Sequence, residues 1–261
     1  MTTDIPGVDS LVDDGVLRVT INRPARMNAV TTETLEAVAE AFEKHADDAS
    51  VRVAILTGAG RAFCTGADLS GRESLAGPPS PATIDAANRA VAAIRAFPRP
   101  VIGAVNGPAA GVGVSLALAC DLTVAAESTY FLLAFTKVGL MPDGGASALV
   151  AASIGRARAL KMALLAERLP APEAVAAGLI ADAYPDEGYA DAIEALAQRI
   201  ADGPADAFGS TKAAINDATL TELDAAFARE RAGQLKLLAA EDFREGATAF
   251  MEKRPAVYRN R

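Results

Sequence analysis

The chain has 261 residues, 51% of them hydrophobic and 22% charged, which is enough for one compact core without covalent staples. A net charge of -8 excludes the clustered positive field of a nucleic-acid binder, and two cysteines, Cys64 and Cys120, in no metal-like spacing exclude a disulfide framework. The opening MTTDIPGVDS lacks the basic and apolar runs of a secretory signal, and Asp121 and Glu127 break the apolar stretches too soon for a bilayer span, so a cytoplasmic protein without a membrane partner is expected.

GVLRVTIN, residues 15–22, alternates as a strand, and TTETLEAVAEAFEKHADD follows with helical periodicity and a Thr-x-x-Glu-like start. VRVAILTG (51–58) and RPVIGAVNG (99–107) read as buried strands ending at glycine. Between them the spacing predicts a helix over ATIDAANRAVAAIRAF, preceded by an exposed loop from Ser70 to Ala82 of the kind that covers sites. GVGVSLALAC reads as a helix, DLTVAAE as a strand, and a PDGG turn leads into ASALVAASIG. RARALKMALLAE, APEAVAAG stopped by Gly178, and three longer amphipathic segments complete an α/β core with a helical C-terminal region.

GVGVSLA (111–117) invites two readings that its neighbours exclude. The third glycine of a dinucleotide fingerprint is absent, with Leu116 in its place. Ser115 cannot serve a hydrolase triad of the nucleophile-elbow type, because the only histidine, His45, is upstream. A single histidine also leaves no ordinary zinc constellation. What remains is a glycine-flanked helix start whose backbone N–H groups, that of Val112 among them, can hold a negative oxygen, with Gly113 admitting a ligand closely. The competing reading is that small residues let this helix pack on the sheet. RAFCTGADLS (61–70) supplies a second such turn, Gly66-Ala67, and Cys64 beside it reads as a packing residue. Asp143 in MPDGG has its own plain explanation, because Asp before Gly-Gly makes a good turn and a good helix cap. The alternative is a carboxylate at the edge of an apolar pocket, raised in pKa and suited to shuttle protons.

Five ordered stretches, INRPARMNAV, AFCTGADL, AVNGPAAGVGVSLALACDL, FTKVGLMPDGG and AFMEKRPAVY, resemble the crotonase superfamily, the enoyl-CoA hydratase/isomerase fold, over essentially the whole chain. The resemblance implies a spiral of ββα turns over residues 1–200, carrying the CoA and active sites, and a helical region over 201–261 for trimer formation and pocket closure. It implies an acyl-CoA thioester as substrate, no tightly bound cofactor or metal, and a homotrimer or dimer of trimers. By the same resemblance, the backbone N–H groups of Ala67 and Val112 form an oxyanion hole. Ala62, Cys64, Thr65, Gly66 and Asp68 contribute contacts to the CoA adenine, Arg23, Arg26 and Lys253 meet its phosphates, and Gly111, Phe135, Leu140 and Phe250 touch the substrate.

This chain departs from the family's hydratases where they carry two glutamates, since those positions hold Ser115 and Phe135, neither of which is an acid or base at neutral pH. Asp143 matches the single acidic residue of isomerase-like members. The resemblance therefore implies a Δ3,Δ2-enoyl-CoA isomerase or related double-bond or ring isomerase. A hydratase with displaced acid-base residues and an acyl-CoA-binding protein without catalysis stand as alternatives.

Overall fold

The structure is a computed structural model describing residues 7–69 and 79–259. Its strands are β1 (Val8–Asp13), β2 (Val16–Ile21), β3 (Val53–Gly58), β4 (Val101–Val105), β5 (Ala109–Ala110), β6 (Leu122–Ala126), β7 (Tyr130–Leu132), β8 (Leu169–Pro170) and β9 (Asp182–Tyr184). Its helices are α1 (Thr32–Lys44), α2 (Ala82–Ala96), α3 (Val112–Ala119), α4 (Ala146–Leu165), α5 (Ala171–Ala177), α6 (Tyr189–Ala201), α7 (Ala205–Thr219), α8 (Leu223–Leu238) and α9 (Glu241–Glu252).

Successive side chains of a strand point to opposite faces, so a strand buried on both faces reads as a continuous apolar run. In β3, Ala54 and Leu56 enter the main core while Val53 and Ile55 enter a second cluster on the other face. In β4, Val101 and Val105 divide from Ile102 and Ala104 in the same way. The main core includes side chains of α1, α2 and α3, and the edge-to-face pair Phe42–Phe97 at 5.5 Å lies within it; the second cluster includes side chains of α6. The resulting sheet runs β1-β2-β3-β4-β6-β9, with β1 antiparallel to β2 and the remaining neighbours parallel.

A second ladder of short pairings lies alongside the first. Val30 bridges Ala67, Cys64 bridges Ala109, β5 pairs with β7, and β7 pairs with β8. Strands β2, β3, β4 and β6 are each followed by a short pairing and then a helix. Gly66-Ala67, Gly111-Val112 and Pro142-Asp143 fall at the same stage of three successive ββα turns, between the short strand and the helix.

The expected strands and helices are present with trimmed ends, and the structure adds elements. The segment VDSLVD forms β1, whose alternation of buried and exposed positions is masked in the sequence because Ser10 is buried and Leu11 is exposed. Four helices follow Gly178 where three segments were expected, preceded by the short strand β9. The expected break between ASALVAASIG and RARALKMALLAE is present as non-helical backbone at Gly155 inside α4. Thr31 caps α1 by accepting the Thr34 N–H at 3.3 Å, and the reciprocal carboxylate of a full capping box is replaced by Thr34. Residues 70–78 of the expected covering loop lie outside the described residues. No helix among the described residues is long and apolar enough to cross a membrane.

Helix α7 is pinned to the core by a buried ion pair. Lys212 Nζ lies 2.9 Å from Asp121 Oδ2, which also accepts the Val101 N–H at 2.8 Å. Burial raises the Asp121 pKa, and the Lys212 ammonium opposes that rise. Lys212→Met leaves a buried carboxylate without its cation, so a loss of about 3 kcal/mol in unfolding free energy is expected from urea denaturation at neutral pH.

Candidate active site

The two glycine turns meet. Gly66 has φ of 100°, Gly111 has φ of 54° and ψ of -129°, and both conformations favour glycine. A Cβ placed on Gly111 would lie 3.4 Å from Gly66 Cα and 3.9 Å from Phe135 Cζ. Ladder bonds hold the turns together: Ala110 N–H donates to Cys64 O at 2.8 Å, and Gly111 N–H donates to Leu132 O at 2.9 Å. In the Val30 bridge, Gly66 O and Asp68 N–H are the paired groups, which turns the N–H of Ala67 the other way. Val112 is the first residue of α3, where an N–H has no partner within the helix.

Ala67, Val112 and Asp143 line one cavity of about 290 Å³, together with Thr65, Gly66, Gly111, Phe135, Leu140 and Phe250. Its wall is mostly apolar, with Lys137 as a cationic member that sequence reading missed. Ala67 and Asp143 also border an adjoining, more polar chamber of about 410 Å³ with Thr31, Glu33, Asp68, Thr83, Gln234 and Arg244 on its walls. A depression of about 460 Å³ elsewhere, between α4 and α5, contains none of the site residues identified from sequence.

Asp143 does not cap α4. That helix start is capped by Glu230 of α8, whose Oε2 accepts the Gly145 N–H at 2.7 Å and whose Oε1 accepts the Ser147 N–H at 2.8 Å. The Asp143 carboxylate instead accepts from Gln234 Nε2 at 2.8 Å, while Ser115 Oγ donates to the Asp143 backbone carbonyl at 2.8 Å. Burial pushes the Asp143 carboxyl from 3.8 up to about 7; the Gln234 hydrogen bond lowers it and the charge of Glu230 raises it further.

This shift has a consequence for stability. The folded pKa lies above the unfolded one, so the folded state takes up a proton between the two values and loses stability as pH rises through about 7. Asp143→Asn removes that penalty. Its melting temperature is expected to exceed the wild type's at pH 8 by the equivalent of roughly 2 to 4 kcal/mol, with the difference fading toward pH 4.

The other sequence-identified residues divide. Gly113 does not admit a ligand: a Cβ there would lie 2.2 Å from Cys64 O, so this glycine lets α3 pack on the Cys64 backbone. Ala62 and Cys64 are buried and away from both cavities. The Ala62 carbonyl accepts from Asn28 Nδ2 at 2.6 Å, and the Cys64 N–H and carbonyl are taken by Pro108 and Ala110. Burial pushes the Cys64 thiol up to about 12, as fits a packing residue. Arg23 pairs with Asp68 at 3.0 Å and donates to the Ala29 carbonyl, which ties the INRPARMNAV segment to the AFCTGADL turn. Arg26 and Lys253 are exposed, the latter ending α9 in a left-handed conformation. Phe250 is 64% exposed at the cavity wall. Ser115 is fully buried beneath Asp143, and Phe135 presents its ring to the cavity.

Glu230 and Gln234 were missed. The buried positions of α8 are Leu223, Ala226, Glu230 and Gln234, one stripe at helical spacing. Extending the apolar stripe of Leu223 and Ala226 along the sequence places both polar residues inward, and that was the available signal.

A spiral of ββα turns that brings two backbone turns and an acidic residue to a common cavity is the architecture of the crotonase superfamily. The family model described as enoyl-CoA hydratase/isomerase matches residues 12–261, and the chain belongs to this family of acyl-CoA enzymes. It is 40% identical to a 1,2-epoxyphenylacetyl-CoA isomerase of Escherichia coli, over 94% of this chain and 95% of that one. It is 36% identical to a 2,3-dehydroadipyl-CoA hydratase of the same organism, over 94% and 96%. A crystal structure of an enoyl-CoA hydratase from Mycobacterium avium subsp. paratuberculosis superposes with a TM-score of 0.92 at 50% identity, over 98% of this chain and all of that one.

Proposed function

We propose that the protein is an isomerase of the Δ3,Δ2-enoyl-CoA type, moving a double bond or opening a ring beside a CoA thioester by a single-acid proton shuttle. The observation that carries this reading is that the Asp143 carboxylate borders the same apolar cavity as the Gly66-Ala67 and Gly111-Val112 turns, with a pKa near neutrality. The thioester oxygen is held by the N–H groups of Ala67 and Val112. Asp143 takes a proton from carbon 2 of a 3-enoyl thioester, and the electron pair of that C–H bond delocalises through the carbonyl as a dienolate whose oxygen the two donors stabilise. Asp143 returns the proton to carbon 4, leaving the double bond between carbons 2 and 3 and the carboxylate as it began. With its pKa raised toward neutrality, one group serves as both base and acid.

The relative named as an isomerase supports this reading, as do Ser115 and Phe135 at the hydratase glutamate positions. Arg26 and Lys253, both exposed, are the candidates for CoA phosphates, and Arg23 serves instead to order the turn through Asp68. The homotrimer or dimer of trimers belongs to the same proposal, supported by Leu164 and Leu165, 65% and 57% exposed at the end of α4.

Water addition to a 2-enoyl-CoA is the second reading, favoured by the polar chamber beside Asp143 and by the hydratase relative. Purified protein is to be incubated separately with a 3-enoyl-CoA and a 2-enoyl-CoA, and both products followed. Isomerisation far faster than hydration is the expected result. The reverse order would establish the second reading, and tight thioester binding without turnover of either would leave a non-catalytic binder.

A further inference from the structure

Helix α8 presents two buried polar residues to the turn that carries Asp143. Glu230 and Gln234 are each 1% exposed and lie one helical turn apart. Gln234 is fixed by the backbone of Met141: its Oε1 accepts the Met141 N–H at 3.1 Å, and its Nε2 donates to Met141 O at 2.8 Å. Flipping the amide would face oxygen with oxygen, so the same Nε2 must point at Asp143 Oδ2. Asp143 Oδ1 has no hydrogen-bond partner among the described residues. Glu230 holds the two N–H groups that follow the turn, and its carboxylate acts on Asp143 through space.

We infer that Gln234 and Glu230 are positioning residues for Asp143: Gln234 holds Oδ2 and leaves Oδ1 to exchange the proton, while Glu230 fixes the turn and places a negative charge behind the carboxylate. This rests on Asp143 being the proton carrier, and it extends the site to a helix that none of the family-like stretches includes. The two residues act in opposite senses. The Gln234 amide favours the ionised carboxylate and the Glu230 charge favours the protonated one, two adjustments of opposite sign on the larger rise that burial itself produces. The other charged groups on the surrounding walls are Lys137 after β7, Glu33 on α1, Asp68 paired with Arg23, and Arg244 on α9. None of them is altered in the variants below.

The test is the titration midpoint of the Asp143 side-chain carboxyl in the substrate-free protein, followed by carbon-13 NMR and assigned by its absence in Asp143→Asn. Gln234→Met is expected to raise the midpoint by about one pH unit, and Glu230→Gln to lower it by about as much. Glu230→Asp, which keeps the charge on a shorter arm, is expected to restore the wild-type value. A merely structural role would hydrate Asp143 in all three variants and lower every midpoint. A midpoint unchanged or lowered in Gln234→Met, or lowered equally by Glu230→Gln and Glu230→Asp, overturns the inference. If Glu230→Gln does not fold, Gln234→Met decides alone. The acid limb of kcat/KM for 3-enoyl-CoA isomerisation should move with the midpoints. Midpoints that move as expected in a protein lacking isomerisation would uphold the pair and remove the proposed reaction; isomerisation with unmoved midpoints would do the reverse.

Discussion

Asp143→Asn is expected to lower the turnover of a 3-enoyl-CoA by about 10²- to 10⁴-fold while changing thioester affinity by no more than a few fold. The asparagine keeps the shape of the side chain, and its amide oxygen can still accept from Gln234, so the turn stays in place. What disappears is the atom that takes the proton from carbon 2 and returns it to carbon 4. Both cavities that Asp143 borders retain their other walls, and the two backbone donors remain available to the carbonyl. In the wild type, kcat/KM should fall tenfold per pH unit below about 7, where the free enzyme's carboxyl becomes protonated. Isomerisation at the wild-type rate in the asparagine variant would rule Asp143 out as the shuttle. The same variant becoming more stable at pH 8 would make the point sharper, because a structural acid lost from its partners would cost stability there.

Val112→Pro separates the backbone donor from everything else at its position. Proline is tolerated at the first residue of a helix, and Val112 is the first residue of α3. The substitution deletes the N–H proposed to hold the thioester oxygen and leaves a side chain of similar bulk in the buried space between α3 and the Asp143 turn. A fall in kcat of about 10²- to 10³-fold is expected, the usual cost of removing one oxyanion donor. Val112→Ala, which keeps the N–H, should retain turnover within a few fold. Equal losses in the two variants would mean that side-chain packing, and not the donor, is what the position supplies. Thermal denaturation of both distinguishes lost chemistry from lost structure.

The strands β2, β3, β4 and β6, the glycine turns and the acid after the proline are legible in sequence because each is a local decision, whereas β1 and the short strands are not. Continuous apolar runs mark β3 and β4, and Gly66 and Gly111 are needed at backbone angles that other residues rarely adopt. Gly113 shows the limit of that kind of reading. The same lack of a side chain serves ligand approach or helix packing, and only the position of the Cys64 carbonyl decides for packing. Asp143 posed the same problem in reverse, since Asp before two glycines is a good cap until another residue is found doing the capping. That residue, Glu230, lies 85 positions from the N–H group of Gly145 that it accepts.

By itself, then, the sequence determined an α/β core with a helical C-terminal region, two glycine turns and one candidate acid, because periodicity and backbone geometry act over a few residues; the spiral was legible only through the family resemblance. Tertiary structure alone decided that these features share a cavity, through ladder bonds joining short strands from successive turns. It also decided the electrostatics. Burial, aided by the Glu230 carboxylate and opposed by the Gln234 amide, moves an ordinary aspartate to a pKa near neutrality. Desolvation is a property of everything that surrounds a group, and those surroundings are drawn from segments far apart in the chain.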